Sequence, residues 1–438
     1  MMPNDGFSMF DTAGNDYKIT STNCPFRRDV VKELASACHL AGMRFGTYYS
    51  QPNWAYTDTH SNYLAYLKTQ VRELMSHYGR VDILWHDGLS GTNYDSAALS
   101  ALARSLQPAL LINDRNLLAE DFDTPEQTIG SFQNTRPWES CMTISAHNQW
   151  AWGGASDGVK PLSECLEMVI RCASGDGNVL LNVGPRSDGV IDPEQASRLK
   201  EVGDWLAQYG ESIYGTRGGP FKPGTYGGST YRGNTVYVHI LNCTNDPLIL
   251  PAIPAKVVGS RLLSGGQVSV TQTEAGIEIS VPAAYRQTND TIVALELDMD
   301  ASLITPLNVP APGSLTTGAY ATASNVYENQ SAYAAGKAVD ADDTTRWATD
   351  AGTFQAWLDL DLGQPKTFNR AVISEAFSGR VQSFQLQWGD GAAWHTFWTG
   401  TTLGAQWSQS FPPVTAQRVR LNILNATEGP TIWEFLLF

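Results

Sequence analysis

At 438 residues the chain is longer than one hydrophobic core supports, so we expect two or three domains. Hydrophobic residues make up 42% of it and aromatic residues 10%, a composition typical of globular and not of disordered proteins. The net charge of −15 argues against duplex nucleic acid or acidic membrane surfaces as partners, and no run of about 18 apolar residues predicts a membrane span.

The first residues and the cysteines bear on compartment and metal chemistry. The opening MMPNDGFSMF lacks the basic segment and apolar core of a signal peptide, which leaves a cytoplasmic protein or a processed secreted protein as the expectation. The six cysteines form no CxxC pair, so a zinc site is not expected.

Strands and helices alternate between residues 25 and 210. Apolar residues at helical spacing predict helices over 26–42, 62–79, 95–108, 161–175 and 192–210, with Asp29 and Asp192 as caps. Short apolar runs between them predict strands over 43–50, 81–87, 109–115, 136–145 and 178–185. Apolar strands that alternate with helices indicate a parallel sheet covered by helices, and we predict a (β/α) barrel.

Polar and aromatic side chains collect where these strands end. The strand of DILWHDG ends on Asp87, LLINDR ends on Arg115, and RPWES supplies Trp138 and Glu139. The active site of a (β/α) barrel lies at this end of its strands. No glycine-rich phosphate loop follows a strand, which disfavours a nucleotide-binding fold. Carboxylates and tryptophans dominate, and these residue types suit cleavage of glycosidic bonds.

The same stretches resemble glycoside hydrolase family 29, the retaining α-L-fucosidases. The resemblance covers residues 4 to about 215 and rests on NDGFSMFDTAGNDYKIT, RRDVVKELASACHLAGMRFGTYYS, VDILWHDG, INDR, DFDTPEQ, RPWESCMTIS and GNVLLNVGPRSDG in the family's order. It implies a retaining exo-α-L-fucosidase that acts on fucosylated glycans, with no cofactor for catalysis.

The resemblance also assigns roles to residues. Asp87 matches the family's nucleophile and Glu126 its acid/base, with Glu139 as the fallback acid/base. Residues expected to contact the sugar or line its pocket are Tyr48, Tyr49, Trp54, Trp85, His86, Arg115 and Trp138. Simpler interpretations stay open: Asp87 could begin a turn, Glu126 could cap a helix, and the tryptophans could be core residues.

One departure from the family concerns the barrel itself. About five strands of the expected eight can be counted, and the family's earlier strand with its histidines has no counterpart, so we expect an incomplete barrel. Unpaired strand edges favour association, and a homo-oligomer that covers the open side is therefore expected. A weak or inactive sugar-binding protein, or a retaining barrel glycosidase for another sugar, remains an alternative.

The sequence of the remainder of the chain predicts all-β structure. With the barrel assigned to residues 1–215, alternating patterns predict a β-sandwich domain over 216–302, followed by a proline-punctuated linker over 303–316. Residues 317–438 resemble a discoidin-type β-sandwich of the kind found in family 32 carbohydrate-binding modules. That resemblance implies a structural Ca²⁺ held by Asp340, the Asp342 carbonyl, Thr345 and Glu434, with Ala341 in place of the usual glycine.

Overall fold

The computed structural model describes residues 6–54, 56, 59–88, 94–129, 132–241, 246–311, 313–342 and 345–438. The chain divides into two compact units. One consists of the chain up to residue 128 together with residues 135–141, and the other consists of residues 129–134 and 142–438. Within the described residues, no helix is both long and apolar enough to cross a membrane.

The first unit is built around a small parallel sheet. Its strands are β1 (Gly46–Ser50), β2 (Ile83–Asp87) and β3 (Leu111–Ile112), in the order β1-β2-β3. Its helices are α1 (Val30–Leu40), α2 (His60–His77) and α3 (Ser96–Leu106). The predicted cap of α1 is confirmed, since the Asp29 carboxylate accepts a hydrogen bond from the Lys32 backbone at 2.9 Å. Leu67, Leu74 and Leu84 are fully buried in the core of this unit.

The third predicted strand is shorter than expected. It ends at Ile112 because the next side chain, Asn113, takes over the pairing: its Oδ1 accepts from the His86 backbone N–H at 2.6 Å and its Nδ2 donates to the His86 carbonyl at 2.9 Å. The chain then turns into a short 3₁₀ helix, Asp114–Asn116. Asn113 therefore fixes the end of β2, which carries Asp87.

Two further strands and two helices complete the α/β region. Strand β4 (Glu139–Thr143), whose first three residues belong to the first unit, forms a two-stranded sheet with β5 (Asn178–Asn182). The helices are α4 (Leu162–Ser174) and α5 (Pro193–Tyr209), and the predicted cap of α5, Asp192, is confirmed. The described residues of this region thus hold five strands in two sheets.

The next region is an antiparallel sandwich of two sheets. Its strands are β6 (Arg217–Gly218), β7 (Gly227–Arg232), β8 (Thr235–Ile240), β9 (Leu248–Leu250), β10 (Val257–Leu262), β11 (Ser269–Thr273), β12 (Gly276–Ser280) and β13 (Thr291–Leu297). They are arranged as β10-β13-β8-β7-β6 and β11-β12-β9. The segment expected to be a linker packs on this sandwich: Leu307 pairs with Phe221, and Val309 is only 3% exposed.

The C-terminal region forms a second all-β domain. Its strands are β14 (Tyr320–Ala323), β15 (Trp347–Ala348), β16 (Ala356–Glu375), β17 (Val381–Gly389), β18 (Trp394–Gly400), β19 (Trp407–Ala426) and β20 (Thr431–Leu437). They pair antiparallel in the order β15-β20-β16-β19-β17-β18, with β14 on β16. Long strands β16 and β19 fold around a core that includes Leu358, Phe384 and Leu421.

Candidate active site

The register of β1 and β2 determines which side chains share a face. Tyr48 lies opposite Trp85, and Ser50 lies opposite Asp87. Because side chains alternate along a strand, Tyr48, Trp85 and Asp87 project from the same face of the sheet. The rings of Tyr48 and Trp85 stack there, with centroids 5.7 Å apart and planes 15° from parallel.

Asp87 is held by two donors at the end of β2. The Tyr48 hydroxyl donates to its Oδ2, and Arg115 Nη1 lies 3.2 Å from its Oδ1. Burial and the hydrogen bond to Asp87 raise the pKa of Tyr48 well above its ordinary value, so the phenol stays protonated and can donate. Both groups donate hydrogen bonds to the carboxylate and so fix its orientation at the end of the strand.

Arg115 is held in position by Thr124, a loop residue that the sequence analysis did not single out. Its Nε donates to the Thr124 hydroxyl and its Nη2 to the Thr124 carbonyl, both at 3.1 Å. Thr124 is fixed in turn by Asp114, which accepts from its backbone N–H and its hydroxyl. No periodic pattern marks Thr124 in the sequence, since it lies outside every helix and strand.

Glu126 reaches the same arginine from a neighbouring backbone segment. Asp123 and Glu126 form parallel bridges with Trp138 and Cys141 at the edge of β4. From this position the Glu126 carboxylate forms an ion pair with Arg115 Nη1, the nitrogen that also contacts Asp87. Burial lowers the pKa of Arg115, but the ion pairs outweigh it and the net shift is upward. The shared nitrogen brings the two carboxylates into one site.

Glu139 occupies a different environment at the start of β4. Burial raises the pKa of its carboxyl group, and the neighbouring Trp85 side chain partly offsets this rise. Glu139 is therefore disposed to hold a proton, whereas the Glu126 carboxylate faces a permanent cation. Trp138 precedes Glu139 and is 96% buried, as a core aromatic residue would be.

Three other expected pocket residues are not brought into this group. Tyr49 and His86 project from the opposite face of the sheet, are fully buried, and contact each other edge to face. Tyr49 donates its hydroxyl to Gln70 at 2.9 Å, and burial lowers the pKa of His86 to about 4. Trp54 lies beyond the end of β1, and its residue surface is 77% exposed.

In the C-terminal domain, the oxygens of the expected calcium loop gather around Thr345. Its hydroxyl lies 2.9 Å from each Asp340 carboxylate oxygen and 3.3 Å from the Asp342 carbonyl oxygen. Ala341 adopts a left-handed φ of 60°, a conformation that favours glycine. A cavity of about 20 Å³, enough for one water-sized particle, is bounded by Ala341 and Glu434.

Two observations bear on whether a cation fits this loop. Among the described residues, no three His, Cys, Asp or Glu side chains lie close enough together to hold a metal ion. The carboxylates are instead paired with lysines: Lys337 lies 3.0 Å from Asp340, and Lys222 lies 3.2 Å from Asp342. The carbonyl and hydroxyl oxygens still offer the hard ligands that Ca²⁺ prefers.

The same domain carries an aromatic cluster that the sequence analysis did not find. The Arg346 guanidinium lies 5.4, 5.3 and 5.1 Å from the ring centres of Tyr333, Phe377 and Trp433. Phe377 is 45% exposed, and Arg380 lies over its ring at 4.0 Å. These residues come from separate loops and strands, so their proximity depends on the fold and not on sequence spacing.

Comparison with known proteins gives two family matches. The model described as alpha-L-fucosidase matches residues 3–211, and the model described as F5/8 type C domain matches residues 320–435. Plasma alpha-L-fucosidase of Homo sapiens is 27% identical over 301 residues, which are 58% of this chain and 62% of that protein. The chain thus spans about three-fifths of the length of the curated relatives that it matches first.

Solved structures point the same way. Alpha-L-fucosidase isoenzyme 1 from Paenibacillus thiaminolyticus is 30% identical, with a TM-score of 0.60 over 68% of this chain and 82% of that one. An alpha-L-fucosidase from Vibrio sp. strain EJY3 is 18% identical, and its TM-score of 0.67 extends over 98% of this chain and 83% of that one. The second likeness concerns the fold alone.

Proposed function

Because the chain belongs to the α-L-fucosidase family, glycoside hydrolase family 29, and carries an F5/8 type C domain, we propose that it removes terminal α-L-fucosyl residues from glycans. The observation that carries the proposal is the pair of carboxylates, Asp87 and Glu126, that share Arg115 Nη1. Two carboxylate oxygens on one nitrogen are compatible with the separation of roughly 5 to 5.5 Å that retaining glycosidases use.

In the first step, Asp87 attacks the anomeric carbon of fucose and the bond to the glycosidic oxygen breaks. Glu126 transfers its proton to that oxygen as it leaves, and a covalent fucosyl-enzyme remains. In the second step, Glu126 takes a proton from water, the water oxygen bonds to the anomeric carbon, and Asp87 departs as a carboxylate. Arg115 and Tyr48 stabilise that carboxylate at the beginning and the end of the cycle.

The stacked rings of Tyr48 and Trp85 form an apolar wall beside Asp87, which suits the C5 methyl group of fucose. Glu139 adjoins Trp85 and is the alternative proton donor, because burial already raises its pKa. We assign the acid/base role to Glu126 because its carboxylate contacts the same Arg115 nitrogen as Asp87 and therefore lies beside it, and we assign Glu139 to holding Trp85 in place.

The C-terminal domain is proposed to hold the glycan and to contain a structural Ca²⁺. Three aromatic rings around Arg346 provide a surface on which a sugar ring can stack, and the Arg346 guanidinium provides hydrogen-bond donors for sugar hydroxyls. Asp340, the Asp342 carbonyl and Thr345 would supply oxygens to Ca²⁺, and Glu434 is the fourth proposed ligand. The bound cation would fix the loop that precedes Arg346.

The proposal extends to an open barrel and a second copy of the chain. Strand β1 pairs with β2. In the described residues that precede β1, the strand pairing is an isolated bridge between Ser8 and Lys18. An unpaired strand edge favours association with another chain. A homo-oligomer in which a neighbour covers this edge is therefore the expected assembly, and light scattering across a dilution series measures it.

A panel of 4-nitrophenyl glycosides tests the activity. The wild-type chain should hydrolyse the α-L-fucoside and not the galactosides, glucosides or mannosides, and Asp87→Asn should lower that rate by several orders of magnitude while leaving the fold intact. Turnover of another sugar alone would indicate a different retaining glycosidase. No turnover by the folded wild-type chain would indicate a sugar-binding protein.

A further inference from the structure

One face of the C-terminal sheet carries aromatic and charged residues in register. Tyr320 on β14 lies opposite Asp361 on β16, which lies opposite Arg418 on β19. Arg418 lies opposite Gly389 on β17, which lies opposite Trp394 on β18. This row therefore crosses five strands on one face. The alternate residues, including Leu360 and Val419, point the other way into the core.

The next row of this face is held by an arginine between two indoles. Arg420 donates to both carboxylate oxygens of Asp359, at 2.5 and 2.8 Å. Its guanidinium carbon lies 4.2 Å from the ring centre of Trp394 and 4.6 Å from that of Trp357. A bidentate ion pair between two aromatic rings keeps the indoles at a set spacing and orientation.

Gly389 makes room for one of these rings. A Cβ atom at this position would lie 3.2 to 3.4 Å from the six-membered ring of Trp394, so the absence of a side chain lets the indole lie against the strand. A glycine within a strand weakens the sheet, and close approach of another group is a usual reason for it. Here that group is the Trp394 ring, which is thereby laid along the face.

A cavity on the same face has the size of one sugar ring. Its volume is about 170 Å³, and its polar lining includes Tyr320, Asp359, Asp361 and Arg418. At roughly 30 Å³ for each water in the liquid, it holds about six waters, which is close to the volume of one pyranose. Tyr320 is 73% exposed, and the Arg418 side chain is 48% exposed, so the cavity opens to solvent.

We propose that this face is a second glycan-binding site, which takes a neutral pyranose of an oligosaccharide. Two carboxylates and two guanidinium groups balance in charge, so the site has no net charge to attract an anionic ligand. The Asp361 carboxylate accepts from sugar hydroxyls, Arg418 donates to them, and the Tyr320 ring covers the apolar face of the sugar. The site shares no residue with the Arg346 cluster and does not depend on the proposed hydrolysis.

Ligand-observed NMR on the full chain tests the site. The background is Asp87→Asn with Arg346→Ala, so that no fucoside is consumed and the Arg346 cluster is disabled. The probes are lactose and 2′-fucosyllactose, which are both neutral. Tyr320→Ala and Arg418→Ala are each expected to raise the dissociation constant about tenfold or more, a change worth about 1.4 kcal/mol.

Matched controls come from the same domain. Phe354 is 52% exposed, and Arg370 lies 4.2 Å from the ring centre of Phe438, so Phe354→Ala and Arg370→Ala remove comparable groups that do not line this cavity. Both controls should leave the dissociation constant unchanged. The proposal is overturned if the background chain binds neither probe, or if the Tyr320 and Arg418 variants bind as tightly as the controls.

Discussion

At the scale of single residues, the environment of Asp87 separates neighbours that look alike in the sequence. Tyr48 and Tyr49 are adjacent, yet the first donates to Asp87 and the second to Gln70 on the opposite face. We predict that Tyr48→Phe lowers kcat/KM roughly 10- to 100-fold, because the Asp87 carboxylate loses a hydrogen-bond donor that stabilises it when it departs from the sugar.

The matched control is Tyr49→Phe. It removes a buried hydroxyl of the same kind, so it should lower the free energy of unfolding by about 1 kcal/mol and leave kcat/KM unchanged. Equal kcat/KM values for the two variants would contradict the assigned geometry.

A second residue-scale prediction concerns the proton donor. Glu126→Ala should slow substrates with poor leaving groups far more than activated aryl fucosides, because only the former need protonation as the bond breaks. Glu139→Ala should instead lower kcat/KM by a similar factor for both substrate types, since it disturbs Trp85. Steady-state rates on a series of aryl fucosides of graded leaving-group pKa measure this, and the reverse pattern would transfer the acid/base role to Glu139.

His86 gives a prediction about stability against pH. Burial holds its pKa at about 4, below the ordinary value near 6.5, so the unfolded chain binds the proton first as the pH falls. The free energy of unfolding should therefore decrease from pH 6.5 to about 4, by about 3 kcal/mol, and this contribution should level off below. His86→Phe should flatten that slope in urea unfolding curves. An unchanged slope would show that His86 does not cause it.

The position of Asp87 at the end of a strand could be predicted from the sequence and is confirmed. The alternation along Trp85, His86 and Asp87 also implies that His86 faces away from the other two. Thr124 and the Arg346 cluster could not be predicted, because their partners are distant in sequence and lie on loops without a periodic pattern.

At the scale of elements, periodic segments were predictable and their edges were not. All five helices of the α/β region form where apolar spacing predicts them, because one buried face defines an amphipathic helix. The pairing of residues 123–127 with β4, which delivers Glu126, has no such signal, because it consists of isolated bridges. The prolines around Val309 predict a linker, yet this segment packs on the β-sandwich.

The loop proposed to bind Ca²⁺ is the element that offers a direct test. Adding millimolar CaCl₂ to chain treated with EDTA should raise Tm by several degrees, because a ligand that binds the native state alone stabilises it by mass action. Thr345→Val should abolish this shift, since the Thr345 hydroxyl lies among the proposed ligands. Equal Tm values with and without Ca²⁺ in the wild-type chain would remove the cation from the account.

At the scale of the whole molecule, the chain joins an α/β region with paired carboxylates to two antiparallel β domains. The order of these regions was predictable because the hydrophobic period changes from helical to alternating near residue 216. Whether the strands close into a full barrel could not be predicted in this way, since the pairing of sheet edges depends on long-range contacts. In the proposed function, the α/β region removes one terminal fucose and the C-terminal domain binds the glycan.

Trapping the covalent intermediate tests the central claim most directly. Incubation with 2-deoxy-2-fluoro-α-L-fucosyl fluoride should add one 2-fluorofucosyl group per chain by intact mass, because the fluorine slows hydrolysis of the fucosyl-enzyme. Peptide mapping should place that group on Asp87, and Asp87→Asn should remain unlabelled. A label on another residue, or turnover of aryl α-L-fucosides without any label, would contradict the account.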